Sequence, residues 1–174
     1  MKHRFDGFPI FHGLSHEEID RVLRGSEEIR RDKHEKIFQK GDPCDGFFLI
    51  EEGKVEIRRT DQNGGDFRVA LLEPPSVFGE MSLIVDRPRS AVALALEPVK
   101  LTRVSKKVFD DQIAAGDLAP YKVIRALARI VTERLKCTEE QFLAALKDVG
   151  AEKRDRKLAE LQQFRQKLFT EWSF

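Results

Sequence analysis

The sequence predicts a mainly β fold with flanking helices: an antiparallel β-roll or jelly roll, preceded by a short N-terminal helix and followed by C-terminal helices. Three observations lead to this reading. Between Gly25 and Ser105, apolar residues recur with a period of two in short runs. Turn-forming residues separate those runs at regular intervals. On either side of the stretch the apolar period lengthens to that of a helix.

The N-terminal part places Phe8, Ile10, Phe11 and Leu14 ahead of Ser15-His16-Glu17-Glu18. Ser15 and Glu18 have the spacing of a capping box, and Leu14 can staple onto Ile19. A short helix ending near Gly25 follows from this. Strands are expected at Glu28–Arg31, Lys36–Gln39, Phe47–Ile50, Lys54–Ile57, Arg68–Leu71, Ala91–Leu94 and Val99–Thr102. The separators are Gly41-Asp42-Pro43, Glu52-Gly53, Asn63-Gly64-Gly65, Pro74-Pro75-Ser76 and Glu97-Pro98, all rich in residues that pre-set or tolerate turn dihedrals.

Ser105 is positioned to cap a short helix through Ile113, ended by Gly116. A long helix starts at or near Asp117, with Pro120 tolerated in its first turn. Along it Ile124, Ala128, Val131, Leu135, Thr138, Phe142, Ala145 and Val149 alternate steps of four and three, a heptad seam with a polar residue in its middle. Such a seam either pairs with another helix or lies on its own barrel. Gly150 interrupts it. Leu158, Leu161, Phe164, Leu168 and Trp172 then give the tail the spacing of an amphipathic helix. The expected organisation is a β-roll with its N-terminal helix over residues 1–116, the long helix over 117–149 and a tail helix over 150–174.

Composition narrows the function classes. The 174 residues suit one domain and an appendage, with enough chain to bury a core without disulfides. A formal charge of +1 gives no whole-chain field toward DNA or an anionic membrane. Cys44 and Cys137 form no CxxC pair, so reduced thiols and a cytoplasmic location are expected. An apolar leader and a long apolar span are absent from the sequence, so neither secretion nor membrane insertion is expected.

The chemistry concentrates in Val77-Phe78-Gly79-Glu80-Met81-Ser82-Leu83 and Arg87-Pro88-Arg89-Ser90-Ala91. A ribose phosphate needs backbone N–H donors, a guanidinium and an acceptor for a sugar hydroxyl, and this segment holds all three. The turn after Phe78, from Gly79 through Met81 and Ser82, offers amides at the positive end of a helix. Gly79 permits close backbone approach. Arg89 supplies a fixed charge on a planar fork that matches phosphate oxygens. Glu80, an acceptor when ionised, suits a 2′-hydroxyl. Ser90 can donate to phosphate or to a base edge.

This segment resembles the phosphate-binding cassette of cyclic nucleotide-binding domains. The resemblance extends from about Phe8 to Val149. Phe11-His12-Gly13-Leu14-Ser15 and Glu35 through Asp42 look like the family's opening helix and first strands, and Phe47 through Val55 looks like its central hairpin. Gly41 and Gly53 match its structural glycines. The long helix looks like the dimerisation helix of catabolite-activator-type regulators. By that resemblance Thr138 is a candidate base contact and Glu139 is placed to reach the partner subunit's ligand; the heptad reading makes Thr138 a polar core residue instead. Two departures stand out. Pro75-Ser76 replaces the usual Gly-Asp ahead of Phe-Gly-Glu, and the segment after Gly150 has room for one helix rather than a helix-turn-helix domain.

The resemblance implies a non-enzymatic cAMP or cGMP sensor that repositions its C-terminal helices on binding, forms a homodimer through the long helix and signals to a separate protein effector. DNA and membrane partners are not expected. The ligand is the nucleotide, with no further cofactor or metal. The alternative is a ligand-free dimerising scaffold; against it, Glu80 and Arg89 are costly passengers in a half-buried pocket. His3, His12, His16 and His34 lack metal-site spacing, and no P-loop, nucleophile elbow or HExxH motif is present. Lys153–Lys157 is interleaved with Asp155 and flanked by Glu152 and Glu160, which reads as a solvated helix face rather than a nucleic-acid contact.

Overall fold

A computed structural model of the chain describes residues 3–60, 64–85 and 87–147. The expected break at Gly150 and the tail helix with Trp172 lie outside the described residues. A 3-10 turn at Pro9–Phe11 leads into α1 (His16–Val22). There follow β1 (Glu27–Arg31), β2 (Lys36–Phe38), β3 (Gly46–Glu52), β4 (Val55–Thr60), β5 (Asp66–Leu72), β6 (Ser76–Phe78), α2 (Glu80–Val85), β7 (Val92–Ala95), β8 (Val99–Ser105), α3 (Lys106–Ala114) and α4 (Leu118–Lys147). This is the expected mainly β roll with flanking helices. All the expected strands are present. The sequence reading missed β6, because three residues are too few to show a period.

The strands form two antiparallel sheets, ordered β1-β8-β3-β6 and β2-β7-β4-β5. The first sheet is covered on both faces, which explains why β3 reads Gly-Phe-Phe-Leu-Ile without polar alternation. Phe47 and Leu49 point to one apolar cluster, shared with Val77, Val104 and the helical residues Ile19, Val22, Phe109, Val123 and Leu127. Phe48 and Ile50 point to the other, between the sheets, with Phe78, Val55, Ala93 and Leu101. The period-two alternation of strand side chains thus divides one run of apolar residues between two cores.

Side-chain caps fix the helix starts. Ser15 Oγ accepts from the Glu18 amide at 3.2 Å, and a Glu18 oxygen accepts from the Ser15 amide at 2.8 Å, the reciprocal pair the spacing predicts. Ser105 caps α3 through the Val108 amide. Asp117 accepts from the Ala119 amide at 2.9 Å and pairs with Arg21 of α1, also at 2.9 Å. The Ala119 amide and the Arg21 guanidinium hold the Asp117 carboxyl below its usual range. Asp117→Ala is therefore expected to lower stability at neutral pH by roughly 0.5–2 kcal/mol. Because the folded-state pKa is depressed, the contribution is present above the unfolded value and lost as pH falls through the folded one. Urea unfolding of both proteins across the acid range should show their stabilities converging.

Residues Met1–Ile130 form one compact unit and residues from Val131 a second. Within the first, Ala119, Val123 and Leu127 of α4 are fully buried at successive four-residue steps, with Ile124 and Ile130 packed at the margin. The early part of α4 thus does lie on its own roll, but mainly through a different stripe from the heptad seam. In the second unit Val131 of the seam is half-buried, Leu135 is 67% exposed, and Thr138 is exposed with its hydroxyl donating to the Arg134 carbonyl at 2.8 Å. The Phe142 and Ala145 side chains and Val149 lie outside the described residues.

Candidate functional site

Three short segments of the first unit meet around one side chain. They are the loop between β2 and β3, the turn between β6 and α2, and the chain after α2. Arg89 stands at their junction and heads the fully buried side chains by volume, at 1% side-chain exposure. Its Nη1 donates to the Gly79 carbonyl at 2.8 Å. Its Nη2 donates to Asp45 Oδ1 and to the Gly46 carbonyl, both at 2.7 Å. The guanidinium carbon lies 4.5 Å from the Phe38 ring centre and 5.4 Å from that of Phe48. Arg89 is also clamped through its backbone, donating to the Asp42 carbonyl at 2.8 Å and accepting from the Gly41 amide at 2.9 Å.

Such confinement makes one detail informative. Arg89 Nε is buried and has no hydrogen-bond partner among the described residues. A charged donor enclosed without an acceptor is costly, so this N–H marks a place where an external acceptor would be stabilising.

The backbone around the guanidinium is tight. A methyl group on Gly79 would sit 2.8 Å from Arg89 Nη1, and one on Gly46 would sit 2.1 Å from the Val104 carbonyl oxygen. Neither position has room for a side chain. The adjoining turn after β5 closes with a cis peptide between Pro74 and Pro75, and Ser76 opens β6 opposite Ile50.

The family model described as Cyclic nucleotide-binding domain matches residues 28–115, the stretch that supplies every strand but the first residue of β1, both loops and Arg89. The chain belongs to the cyclic nucleotide-binding domain family. It is 35% identical over 127 residues to the Cyclic AMP receptor protein of Thermus thermophilus, covering 73% of this chain and 59% of that one. It is 28% identical over 101 residues to the cAMP-dependent protein kinase regulatory subunit of Blastocladiella emersonii, covering 58% of this chain and 25% of that one. The crystal structure of Thermus thermophilus Catabolite Activator Protein matches with a TM-score of 0.66 at 32% identity, over 79% of this chain and 63% of that one. The chain thus covers less than two thirds of each of these relatives.

Within this cyclic nucleotide-binding domain the residues expected from sequence are distributed unevenly. Gly79 and Arg89 are joined by a hydrogen bond, and Glu80 and Ser82 are buried in the first turn of α2, which follows Gly79 directly. The Met81 side chain is 58% exposed and that of Ser90 is exposed, so Met81 can bring only its backbone to the interior. Thr138 and Glu139 belong to the second unit.

The sequence reading missed Asp45, Gly46 and the Phe38–Phe48 wall. It also missed the continuation beyond Asp45. Asp45 Oδ2 accepts from Arg103 Nη1, and Arg103 Nη2 donates to Glu27 Oε2 at 2.8 Å. Burial disfavours the Arg103 charge, but the hydrogen bonds and charges of Asp45 and Glu27 outweigh it and raise its pKa. Glu27 and Arg103 face each other across β1 and β8, a pairing set by the strand register and carried by no local sequence signal.

Proposed function

We propose that this domain binds a cyclic nucleotide and acts as a non-enzymatic sensor. The observation that carries the reading is the unpartnered Nε–H of a fully enclosed Arg89, beside a turn that admits no side chain at Gly79. The phosphate takes its acceptor role toward Arg89, assisted by amides from Gly79 to Ser82. Glu80, already buried, accepts from the ribose 2′-hydroxyl. Ser90, at the rim, serves the phosphate or the purine. The names of the two relatives make cAMP the first ligand to test, and cGMP, the other nucleotide that the sequence leaves open, the second.

The long helix completes the reading. Its uncovered seam around Leu135 and Thr138 pairs two copies of the chain, Thr138 and Glu139 approach the base, and ligand binding shifts the population of helix positions that a separate effector protein senses. The site is cytoplasmic, where cyclic nucleotides are made. No described helix is long and apolar enough to cross a membrane.

Calorimetric titration tests the core of this proposal. Heat of binding with cAMP or cGMP is expected. Silence with both at high micromolar concentration would favour the scaffold alternative, which draws its own support from the Asp45 pair that already neutralises Arg89. A second expectation concerns the sugar. Glu80→Ala should weaken binding by roughly 1.5–3 kcal/mol, the worth of a charge-assisted hydrogen bond. It should also shrink the preference for ribose over deoxyribose nucleotides; an intact preference would assign the 2′-hydroxyl to another group.

A further inference from the structure

We infer that Arg103, which lies outside the anion site, positions Asp45 and thereby sets how strongly Arg89 attracts an anion. The inference rests on the nucleotide reading above.

Asp45 is the counter-charge of Arg89 at 2.7 Å, and an anionic ligand approaching Arg89 meets a guanidinium already neutralised by a carboxylate. Left alone, that pair carries no net charge and draws a phosphate weakly. Asp45 is not left alone: its other oxygen is held by Arg103. Two guanidiniums therefore share one carboxylate, and the cluster keeps an excess positive charge. Glu27 offsets this only in part, because its side chain is 63% exposed and its charge is screened by water, whereas that of Arg103 is 25% exposed. The arrangement also fixes geometry. With Oδ2 tethered to β8, the carboxylate cannot rotate both oxygens onto Arg89, so only one arm of the fork is occupied by it.

The strand register makes the tether stiff. Gly46 pairs with Ser105 and Phe48 with Arg103, so the residue after Asp45 is hydrogen-bonded into the same strand, β8, that carries Arg103. Arg103 and Glu27 are opposed across β1 and β8, so neither end of the relay lies on a free loop.

Binding of cAMP and cGMP to purified full-length variants tests this. Arg103→Met removes the charge and keeps the aliphatic stem; it is expected to weaken binding roughly threefold to tenfold, the scale of one partly screened charge interaction. Arg103→Lys should recover most of the loss. Glu27→Gln strips the rival carboxylate from Arg103 and should strengthen binding by about twofold. Opposite signs from two neighbouring changes cannot come from a general folding defect. Since Arg103 acts in part by holding Asp45 and in part by its own charge, Arg103→Met should cost less affinity in an Asp45→Asn background than in the wild-type chain, and the Arg103→Met loss should shrink as salt rises. Unaltered affinity in Arg103→Met, or the same loss persisting in the Asp45→Asn background, overturns the inference while the nucleotide site stands. A wild-type chain that binds neither nucleotide overturns the underlying reading and this inference with it.

Discussion

Arg89→Leu is expected to weaken cyclic nucleotide binding by about 2–5 kcal/mol, or about thirtyfold to four-thousandfold. The phosphate keeps its charge at every working pH, so a site without its cation must either exclude it or hold it uncompensated. The change acts on the free protein as well. Arg89 satisfies the carbonyls of Gly46 and Gly79 and one oxygen of Asp45. Leucine leaves these acceptors without a donor, while packing well against Phe38 and Phe48. The half-exposed Asp45 can turn to water, but the enclosed carbonyls are harder to satisfy, so a modest net loss of stability accompanies the loss of binding. Arg89→Lys separates the two effects. It restores a charge without the planar fork, so it should recover part of the affinity and fewer of the internal bonds. Titration calorimetry and urea unfolding on the same samples measure both. Affinity unchanged in Arg89→Leu would remove this side chain from the site.

Much of this architecture was legible because it depends on local rules. The capping box at Ser15 and Glu18, the helix starts at Ser105 and Asp117 and the alternation of the longer strands are each set by residues within a few positions of one another. The structure realises them with little change. The closeness of Gly79 and Arg89 was legible for the same reason, since the two lie within eleven consecutive residues and are joined by a hydrogen bond.

What was not legible is what the roll brings together from afar. Asp45 lies 44 residues before the arginine it neutralises, and Arg103 lies 58 residues after Asp45. No spacing rule joins them. They meet because β3 is hydrogen-bonded to β6 on one edge and to β8 on the other, which carries the start of β3 alongside both the cassette and Arg103. The aromatic wall was hidden differently. Phe38 and Phe48 read correctly as strand residues, but nothing in their period distinguishes a ring that packs on its neighbours from one that also faces a guanidinium. The long helix shows the limit in reverse. Its heptad pattern is regular in sequence, yet the stripe most deeply buried against the roll is Ala119, Val123 and Leu127. A helix can carry two useful faces, and period alone does not rank them.

Gly79→Ala is expected to have the second large effect, and a matched control isolates its cause. Gly79 and Gly116 both have φ of +78°. In either place an alanine suffers the left-handed backbone cost, about 1–2 kcal/mol. At Gly116 a Cβ meets nothing within 4 Å, so Gly116→Ala should lower stability by that amount and leave nucleotide affinity untouched. At Gly79 the same atom sits 2.8 Å from Arg89 Nη1 and 3.3 Å from the Phe48 ring. The end of an arginine normally swings aside at little cost. This one is held by three hydrogen bonds and lies over the face of Phe38, so displacing it breaks the bond to the Gly79 carbonyl and disturbs the pair with Asp45. Gly79→Ala should therefore lose more stability than Gly116→Ala and, unlike it, lose affinity by at least about tenfold, since one charge-assisted hydrogen bond of about 1.5–3 kcal/mol is removed from the group proposed to hold the anion. Thermal unfolding with and without nucleotide reads both quantities at once, because ligand stabilisation scales with the logarithm of affinity. Equal ligand-induced shifts in the two alanine variants would mean that the guanidinium reaches its ligand without help from this turn.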